Sequence, residues 1–336
     1  MSRERKCLDR LLAAVAGKGR VLILLHNDPD PDAIAAGLAL RQLLSEAAGV
    51  PSEMVYKGMI GRAENKALVE YLGRPLRVLR DEDWLDSPAI ALMDTQPGAG
   101  NNAMPAGTHV ALVIDHHPRL AERFDADFVD IRPWVGALST MLTQYLQAAK
   151  IEFSQQLATA LFYGIKTDTA GLSRGTSPED RSAYLFLQPH TDTRALGQIE
   201  RAEVSAGYFR QLTAALANAR IYDGVVISYI GEMDWPDMAA EMADLLMRLE
   251  GARWVICMGV YDKEMVLSAR TYERDGAGDL VQAMVKDAGM AGGHGALAGG
   301  HVPLDDRAPQ RVFQMLTQRA LVALNVPPEA EGRKLI

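Results

Sequence analysis

The sequence has few cysteines, no basic excess and no long apolar run near its start, and each absence excludes a class of protein. Only Cys7 and Cys257 occur among 336 residues, which is too few for a disulfide framework or a thiolate zinc site. We interpret Cys257, which stands in an apolar run, as a buried structural thiol. Near Met1 no apolar stretch is long enough for a signal peptide or a membrane span. We therefore expect a cytoplasmic protein that does not contact membranes.

The formal net charge of −8 argues against partners that need a basic surface. A chain of this charge provides no overall field that attracts long nucleic acid, so we expect no long duplex as a partner. If several aspartates bind divalent cations, part of the negative charge is cancelled. A short nucleotide or oligonucleotide fits this balance better as a substrate.

Apolar runs and amphipathic segments alternate along the first half of the chain. Continuous apolar runs such as residues 21–25 are typical of strands that are covered on both faces of a parallel sheet, and the segments between them have helical spacing. The pattern predicts an α/β fold with a mostly parallel sheet flanked by helices. We predict strands at 21–25, 53–56, 89–93 and 109–114 and helices at 8–16, 33–48 (with Asp32 as N-cap), 64–72, 137–149 and 154–166.

A second, smaller α/β unit is predicted for the rest of the chain. Ser177 and Pro178 mark a helix start, because a capping serine precedes a proline at the first helical position. A long helical stretch over roughly 194–220 would then link the two parts. We predict a first domain over 1–190, a helical linker over 191–221 and a second domain over 222–336, with strands at 224–230, 254–261 and 264–271 and helices at 237–250, 278–288 and 309–324.

Acids and histidines stand directly after three of the predicted strands. Ligands collect at the carboxyl ends of parallel strands, and two divalent cations need a bridging carboxylate and several terminal ligands. Carboxylates with a few imidazoles suit Mn²⁺ better than Mg²⁺. An isolated aspartate here is most often a helix cap and an isolated histidine a structural residue, but these alternatives leave the ordered set unexplained. The candidate metal ligands are His26, Asp30, Asp32, Asp94, His116 and Asp168.

Four short motifs resemble those of the DHH phosphoesterase superfamily, in the family's order. The triplet Asp115-His116-His117 is the one that gives the family its name. The pattern His-x-x-Pro-Asp-x-Asp-Ala occurs at 26–33, an Asp-Thr pair at 94–95 and Gly-Ile-x-x-Asp-Thr at 164–169. Within the first motif, Pro31 stands where the family often has glycine.

The resemblance implies two divalent metal ions, with Mn²⁺ as the first choice and Mg²⁺ or Co²⁺ as alternatives. One ion would be bound by His26 and Asp30 and the other by His116 and Asp168, with Asp32 and Asp94 near or between both.

The same resemblance assigns the remaining motif residues. His117 would face the substrate phosphate, and Asp115 would orient an imidazole from behind. The implied catalytic residues are thus Asp94, Asp115 and His117. Asp28 falls on a variable family position, so we interpret it as a solvated or capping acid.

The second half of the chain resembles the DHHA1 domain that accompanies DHH domains. Its mark is a glycine-rich segment with a histidine, found here at 291–295 with alanine in place of the usual first glycine. The resemblance implies that Gly292, Gly293, His294 and the strand residue Arg270 bind substrate, since glycine lets backbone amides crowd around an anion. A tight turn at 291–295 and an exposed, solvated Arg270 are the alternatives.

The resemblance also implies the reaction. Hydroxide generated between two cations would attack phosphorus in line, while the second domain closes over the substrate. The domain composition resembles the subgroup that degrades nano-length RNA and dephosphorylates 3′-phosphoadenosine 5′-phosphate. Alternatives are hydrolysis of cyclic or linear dinucleotides, a single-strand DNA 5′ exonuclease, and a nucleotide-sensing module without turnover. The apolar helices near 137–166 could pack against a second copy in a homodimer.

Overall fold

A computed structural model describes residues 3–85, 88–273, 275–327 and 330–336, except for the side chain of His294. The chain divides into two compact units, Met1–Ala202 and Glu203–Ile336. The division falls within the segment predicted as a linker, and each unit has a sheet of its own.

The first unit is built on a parallel six-stranded sheet. Its strands are β1 Val21–Leu25, β2 Ser52–Tyr56, β3 Leu76–Val78, β4 Ala89–Met93, β5 Val110–Asp115 and β6 Ala126–Ile131. Their order across the sheet is β3-β2-β1-β4-β5-β6. The strand order therefore reverses between β1 and β4, and ligands of open α/β sheets bind outside the carboxyl ends at such a reversal.

Helices accompany the sheet in the order that the sequence predicts. They are α1 Arg3–Val15, α2 Pro31–Leu43 (continued by a π turn at Leu44–Ala48), α3 Ala63–Tyr71, α4 Leu138–Ala149, α5 Gln155–Asp168, α6 Pro178–Leu187 and α7 Thr193–Glu200, with short 3₁₀ turns at Asp81–Trp84 and Gln188–His190. The predicted α/β class is thereby confirmed. Among the described residues, none of the helices has the length and apolar character needed to cross a membrane.

Apolar side chains bury both faces of this sheet. On one face, Ile23 and Leu25 pack in a cluster with residues of α1, α2, α4 and α5. On the other face, Leu24 lies in a cluster that is covered by Trp84 and Met104. Burial on both sides explains why β1 reads as an unbroken apolar run.

The predicted N-cap of α2 is wrong by two residues. Asp30, not Asp32, occupies the cap, and its Oδ1 accepts a hydrogen bond from the backbone N–H of Ala33 at 2.9 Å. Pro31 takes the first helical position, which proline favours, so the cap must precede it. Asp32 lies in the first turn and is fully buried, so its carboxylate does not cap the helix and is available for other contacts.

One further difference concerns the boundaries of elements. The helix predicted over 194–220 is two helices, α7 and α8 Ala206–Asn218. Residues 201–205 separate them, and Ser205 caps α8 by accepting from the N–H of Tyr208. The helix start at Ser177 is confirmed, because its side chain and that of Asp180 form a reciprocal capping box.

The second unit is a seven-stranded sheet between two helix layers. Its strand order is β11-β12-β10-β9-β8-β7-β13, antiparallel except for the parallel pair β8 and β9. Residues of α10 and α11 pack on one face and residues of α8 and α9 on the other. Cys257 lies buried in β9, as predicted. The elements are β7 Arg220–Tyr222, β8 Val225–Glu232, α9 Met238–Leu246, β9 Trp254–Tyr261, β10 Glu264–Thr271, α10 Ala277–Val285, β11 Met290–His294, β12 Leu297–Pro303, α11 Pro309–Ala323 and β13 Arg333–Lys334.

The glycine-rich segment forms strand β11 and not the tight turn given as the alternative. Gly292 pairs with Gly299, and Gly293 pairs with Ala298. Gly293 has φ +119°, and a Cβ there would lie 2.5 Å from Cα of Ala298. Glycine is therefore required by the close approach of the two strands of the hairpin.

Candidate metal centre

Three neighbouring strands carry acids and histidines to one edge of the first sheet. His26 follows β1, Asp94 follows β4, and Asp115 ends β5 immediately before His116 and His117. Because β1, β4 and β5 are adjacent and parallel, their carboxyl ends converge at the strand-order reversal. Asp94 has φ +60°, a conformation that is uncommon outside glycine and that clusters at functional sites.

Two helix ends complete the site. The first turn of α2 carries Asp30 and Asp32, and Asp168 is the last residue of α5. The two helices come together at Gly164, where a Cβ would lie 2.9 Å from Oδ1 of Asp32 and 2.5 Å from Oγ of Ser139. The glycine of the fourth motif is thus explained by the approach of α5 to the Asp32 carboxylate.

The six predicted ligands lie together in two sets that share Asp94. In the first set, Nε2 of His26 lies 3.8 Å from Oδ1 of Asp30 and 3.6 Å from Oδ2 of Asp94. In the second set, Nε2 of His116 lies 3.4 Å from Oδ2 of Asp168 and 3.3 Å from Oδ1 of Asp94. The two oxygens of Asp94 therefore face different sets, an arrangement that suits a carboxylate bridging two cations through both oxygens.

Asp32 belongs to the second set and is held by backbone amides. Its Oδ2 lies 4.0 Å from Nε2 of His116. The N–H groups of Leu138 and Ser139, in the first turn of α4, donate to its two oxygens at 2.5 Å and 2.8 Å. An anion at a helix N-terminus is stabilised in this way, and each oxygen keeps a further lone pair for a cation.

Hydrogen bonds at Nδ1 orient both ligand imidazoles. Nδ1 of His26 lies 2.7 Å from the carbonyl oxygen of Asn27, and Nδ1 of His116 lies 3.3 Å from that of Val135. A carbonyl only accepts, so each neutral ring carries its proton on Nδ1. The Nε2 lone pair is then directed at the carboxylates, which is the usual arrangement of a metal-bound histidine.

Two buried atoms among the described residues lack a hydrogen-bond partner at this point. They are Oδ1 of Asp94 and Nε2 of His116. Buried polar atoms are normally satisfied, and a divalent cation bound between them would satisfy both at once. The donor set of carboxylates and imidazoles therefore fits a pair of divalent cations with O and N ligands.

The clustering of charge shifts the pKa of several groups. Burial disfavours the charged ring of His26, but Asp30 and Asp94 outweigh it and raise its pKa to about 9. Burial, followed by the charge of Asp30, raises the pKa of Asp168 to about 6. Burial opposes ionisation of Asp94, yet His116 and His117 hold its pKa well below the usual range. Protons therefore occupy positions that a cation would fill.

His117 differs from His116 in exposure and in its partner. Its side chain is 40% exposed, against 11% for His116. Its Nδ1 lies 2.8 Å from Oδ1 of Asp115, which is itself buried. Burial disfavours the charged ring, but the carboxylates of Asp115 and Asp94 outweigh it and raise the pKa of His117 to about 10.

Gln96 is a site residue that the sequence reasoning missed. Its amide nitrogen donates to Oδ2 of Asp115 at 2.6 Å and to the carbonyl of Pro118 at 3.0 Å. Its amide oxygen accepts from the N–H of Leu120 at 2.9 Å. Gln96 therefore ties the loop after β4 to the loop after β5. Its place two residues after Asp94 was the only signal in the sequence.

The candidate substrate residues of the second unit are only partly described. The guanidinium of Arg270 is 11% exposed and pairs with Asp244, and its Nη1 donates to Oγ of Ser268 at 2.7 Å. The alternative of an exposed, solvated Arg270 is therefore wrong. Gly292 and Gly293 lie in β11, and the side chain of His294 lies outside the described residues.

The first unit thus combines a parallel α/β sheet with two ligand sets that share the carboxylate of Asp94. These features place the chain in the class of proteins with a candidate dinuclear metal site. Residues 20–165 match the model of the DHH family, N-terminal domain. Most of the first unit, from just before β1 to Ile165 in α5, is therefore similar to this family.

Three similar proteins extend the comparison. An uncharacterized protein of Methanocaldococcus jannaschii is 37% identical over 303 residues, which are 90% of this chain and 62% of the relative. The cyclic-di-AMP phosphodiesterase GdpP of Geobacillus thermodenitrificans is 27% identical over 312 residues, 87% of this chain and 46% of the relative. The chain thus spans about half to three fifths of the length of these relatives.

A crystal structure of an exopolyphosphatase-related protein from Bacteroides fragilis has the same fold. Its TM-score is 0.72 at 14% identity, and the match covers 95% of this chain and 97% of that one.

Proposed function

We propose that this chain is a metal-dependent phosphoesterase that acts on short nucleotide substrates. The observation that carries the proposal is the position of Asp94, whose two oxygens face two ligand sets while Oδ1 lacks a hydrogen-bond partner. In a hydrolase, two cations so held supply a nucleophilic water at neutral pH and offset charge on the phosphoryl group. His26 and Asp30 would hold one cation, Asp32, His116 and Asp168 the other, and Asp94 both.

The remaining residues of the site would act on the phosphate. Asp115 and Asp94 raise the pKa of His117 to about 10 in the metal-free protein, which favours a ring protonated on both nitrogens. One N–H faces Asp115, and the other would donate to a phosphoryl oxygen, where negative charge grows in the transition state. Asp115 would keep the ring charged and oriented. The chemistry of the donor set favours Mn²⁺, with Mg²⁺ or Co²⁺ as substitutes.

We test this function with a minimal substrate. Purified protein supplied with Mn²⁺ is expected to release nitrophenol from bis-p-nitrophenyl phosphate. Asp94→Ala should lower kcat at least about 100-fold, because phosphoryl charge loses its stabilisation. Asp125→Ala, which removes an exposed carboxylate before β6 at the opposite end of the strands, should keep wild-type activity. Activity that survives both Asp94→Ala and His116→Ala would exclude the two-metal proposal.

The substrate proposed first is a short RNA oligonucleotide or 3′-phosphoadenosine 5′-phosphate. Arg270, Gly292, Gly293 and His294 would bind its distal phosphate or base. Hydrolysis of a cyclic dinucleotide is the second candidate, because the relative GdpP, which matches over 87% of this chain, is a cyclic-di-AMP phosphodiesterase. The decisive experiment compares kcat/KM on these substrates with single-stranded DNA and polyphosphate. Preference for either of the last two would overturn both candidates.

A further inference from the structure

A short segment after β6, residues 135–140, holds two ligands of the second set. The carbonyl oxygen of Val135 accepts from Nδ1 of His116 at 3.3 Å. The N–H groups of Leu138 and Ser139 bind the carboxylate of Asp32. The position of both ligands therefore depends on the position of this segment.

The first ligand set is oriented by other contacts. His26 bonds the carbonyl of its neighbour Asn27, and Asp30 caps α2 at Ala33. These bonds are local to β1 and α2. A displacement of residues 135–140 would therefore disturb one metal subsite and spare the other.

Asp180, in the first turn of α6, anchors the segment. It is fully buried. Its Oδ2 accepts from the N–H of Gly136 at 2.8 Å and its Oδ1 from Oγ1 of Thr140 at 2.6 Å. Oδ2 also accepts from the N–H and the hydroxyl of Ser177. One carboxylate thus joins both ends of the segment to the start of α6.

Close packing leaves the segment little room to move. A Cβ at Gly136 would lie 2.8 Å from the carbonyl oxygen of Gly175 and 2.8 Å from Cγ2 of Thr169. Thr169 directly follows the ligand Asp168. The segment is therefore packed against the connection from α5 to α6, and the same Cβ would lie 3.0 Å from Oδ2 of Asp180.

A capping box explains only part of this arrangement. It accounts for the bonds between Asp180 and Ser177, but Gly136 and Thr140 are 44 and 40 residues away in sequence. We propose that Asp180 is a positioning residue: it fixes residues 135–140 so that Asp32 and His116 hold the second cation. This inference rests on the proposed function, because it assumes that the two ligand sets bind metal.

The test is a calorimetric titration, in which Mn²⁺ is added to metal-free protein and the heat of binding is measured. Wild type is expected to bind two ions. Asp180→Asn removes the carboxylate charge and turns one of its two accepting atoms into a donor, so it should weaken one site at least tenfold and leave the other within twofold. Thr140→Val removes a single bond of the same anchor and should weaken the same site less. The matched control is Ser177→Ala, which removes the cap of α6 but keeps the bonds to Gly136 and Thr140. It should lower Tm and leave both sites unchanged.

The outcomes separate the inference from the function. If wild type binds two ions and both Asp180→Asn and Thr140→Val bind them with unchanged affinity, the inference is overturned and the proposed function is not. Equal weakening of both sites would also overturn it, since this is what general destabilisation produces. If Asp180→Asn does not fold, Thr140→Val decides by the same criterion. A wild type that binds no Mn²⁺ would overturn the proposed function and the inference with it.

Discussion

At the scale of single residues, the site depends on side chains that hold other side chains. Asp115 is buried and bonds both His117 and Gln96. A buried carboxylate needs such partners, because an unpaired charge in the interior is costly. The orientation of the exposed histidine is thus set by a residue that no substrate can reach.

Gln96→Ala is therefore expected to lower kcat about 10-fold, the size of loss found when a hydrogen-bonded partner behind a functional side chain is removed. The physical reason is that Asp115 loses a donor and no longer fixes His117. Mn²⁺ affinity should change little, since Gln96 bonds none of the six predicted ligands in the described contacts. Steady-state kinetics with a metal titration measures both quantities. As a control, Gln144→Ala removes a glutamine that bonds Arg132. The prediction fails if Gln96→Ala loses metal or keeps the wild-type kcat.

The grouping of the six candidate ligands could be predicted from sequence because each stands beside a recognisable element boundary. Gln96 and Asp180 could not, since their partners lie 19 to 44 residues away. The role of Asp32 could be predicted only in part. As a motif residue it was a candidate ligand, but its bonds to Leu138 and Ser139 depend on tertiary packing and could not be predicted.

At the scale of elements, continuous apolar runs gave the most accurate predictions. The bounds of β1, β4, β9 and β10 agree with the structure at every residue. For β1, β4 and β9 the reason is that strands covered on both faces are largely apolar, whereas β10 also contains Glu264, Ser268 and Arg270. Strands β11 and β12 were missed. They are rich in glycine, which sequence propensity associates with turns and not with strands.

Gly164 in α5 offers a prediction that separates packing from helix propensity. Propensity alone favours alanine by about 1 kcal/mol. A Cβ at Gly164 would instead lie 3.0 Å from Cα of Asp32 and 2.5 Å from Oγ of Ser139. We expect Gly164→Ala to lower Tm by several degrees, as overpacking of about 1–3 kcal/mol does, and to weaken Mn²⁺ binding.

Gly197 in α7 is the matched control for this substitution. It is also a helical glycine, but a Cβ there meets nothing within 4 Å. Gly197→Ala should therefore raise stability by up to about 1 kcal/mol. Thermal unfolding of both variants is the measurement. Stabilisation by Gly164→Ala would contradict the close approach of α5 to Asp32.

At the scale of the whole molecule, the metal centre couples stability to pH. His26 has its pKa raised to about 9 and Asp168 to about 6, both above their values in an unfolded chain. Between about pH 4 and pH 9 the metal-free folded state therefore holds more protons than the unfolded state, and its stability falls as pH rises. The contribution of His26 is fully present below pH 6.5 and is lost as pH rises through about 9.

Bound Mn²⁺ should reverse this dependence. A cation replaces the protons on His26 and Asp168, so its affinity rises with pH, and a ligand that binds only the folded state stabilises it in proportion to the logarithm of concentration over Kd. We expect the increase in Tm caused by Mn²⁺, measured against protein in chelator, to be larger at pH 8.5 than at pH 6. Asp94→Ala should lose most of the increase at both values, because both ligand sets share that residue. Two results together would contradict this prediction: a Tm of the metal-free protein that rises from pH 6 to 8.5, and an increase in Tm on adding Mn²⁺ that is the same at both pH values. They would show that the titration of the six residues is not linked to cation binding.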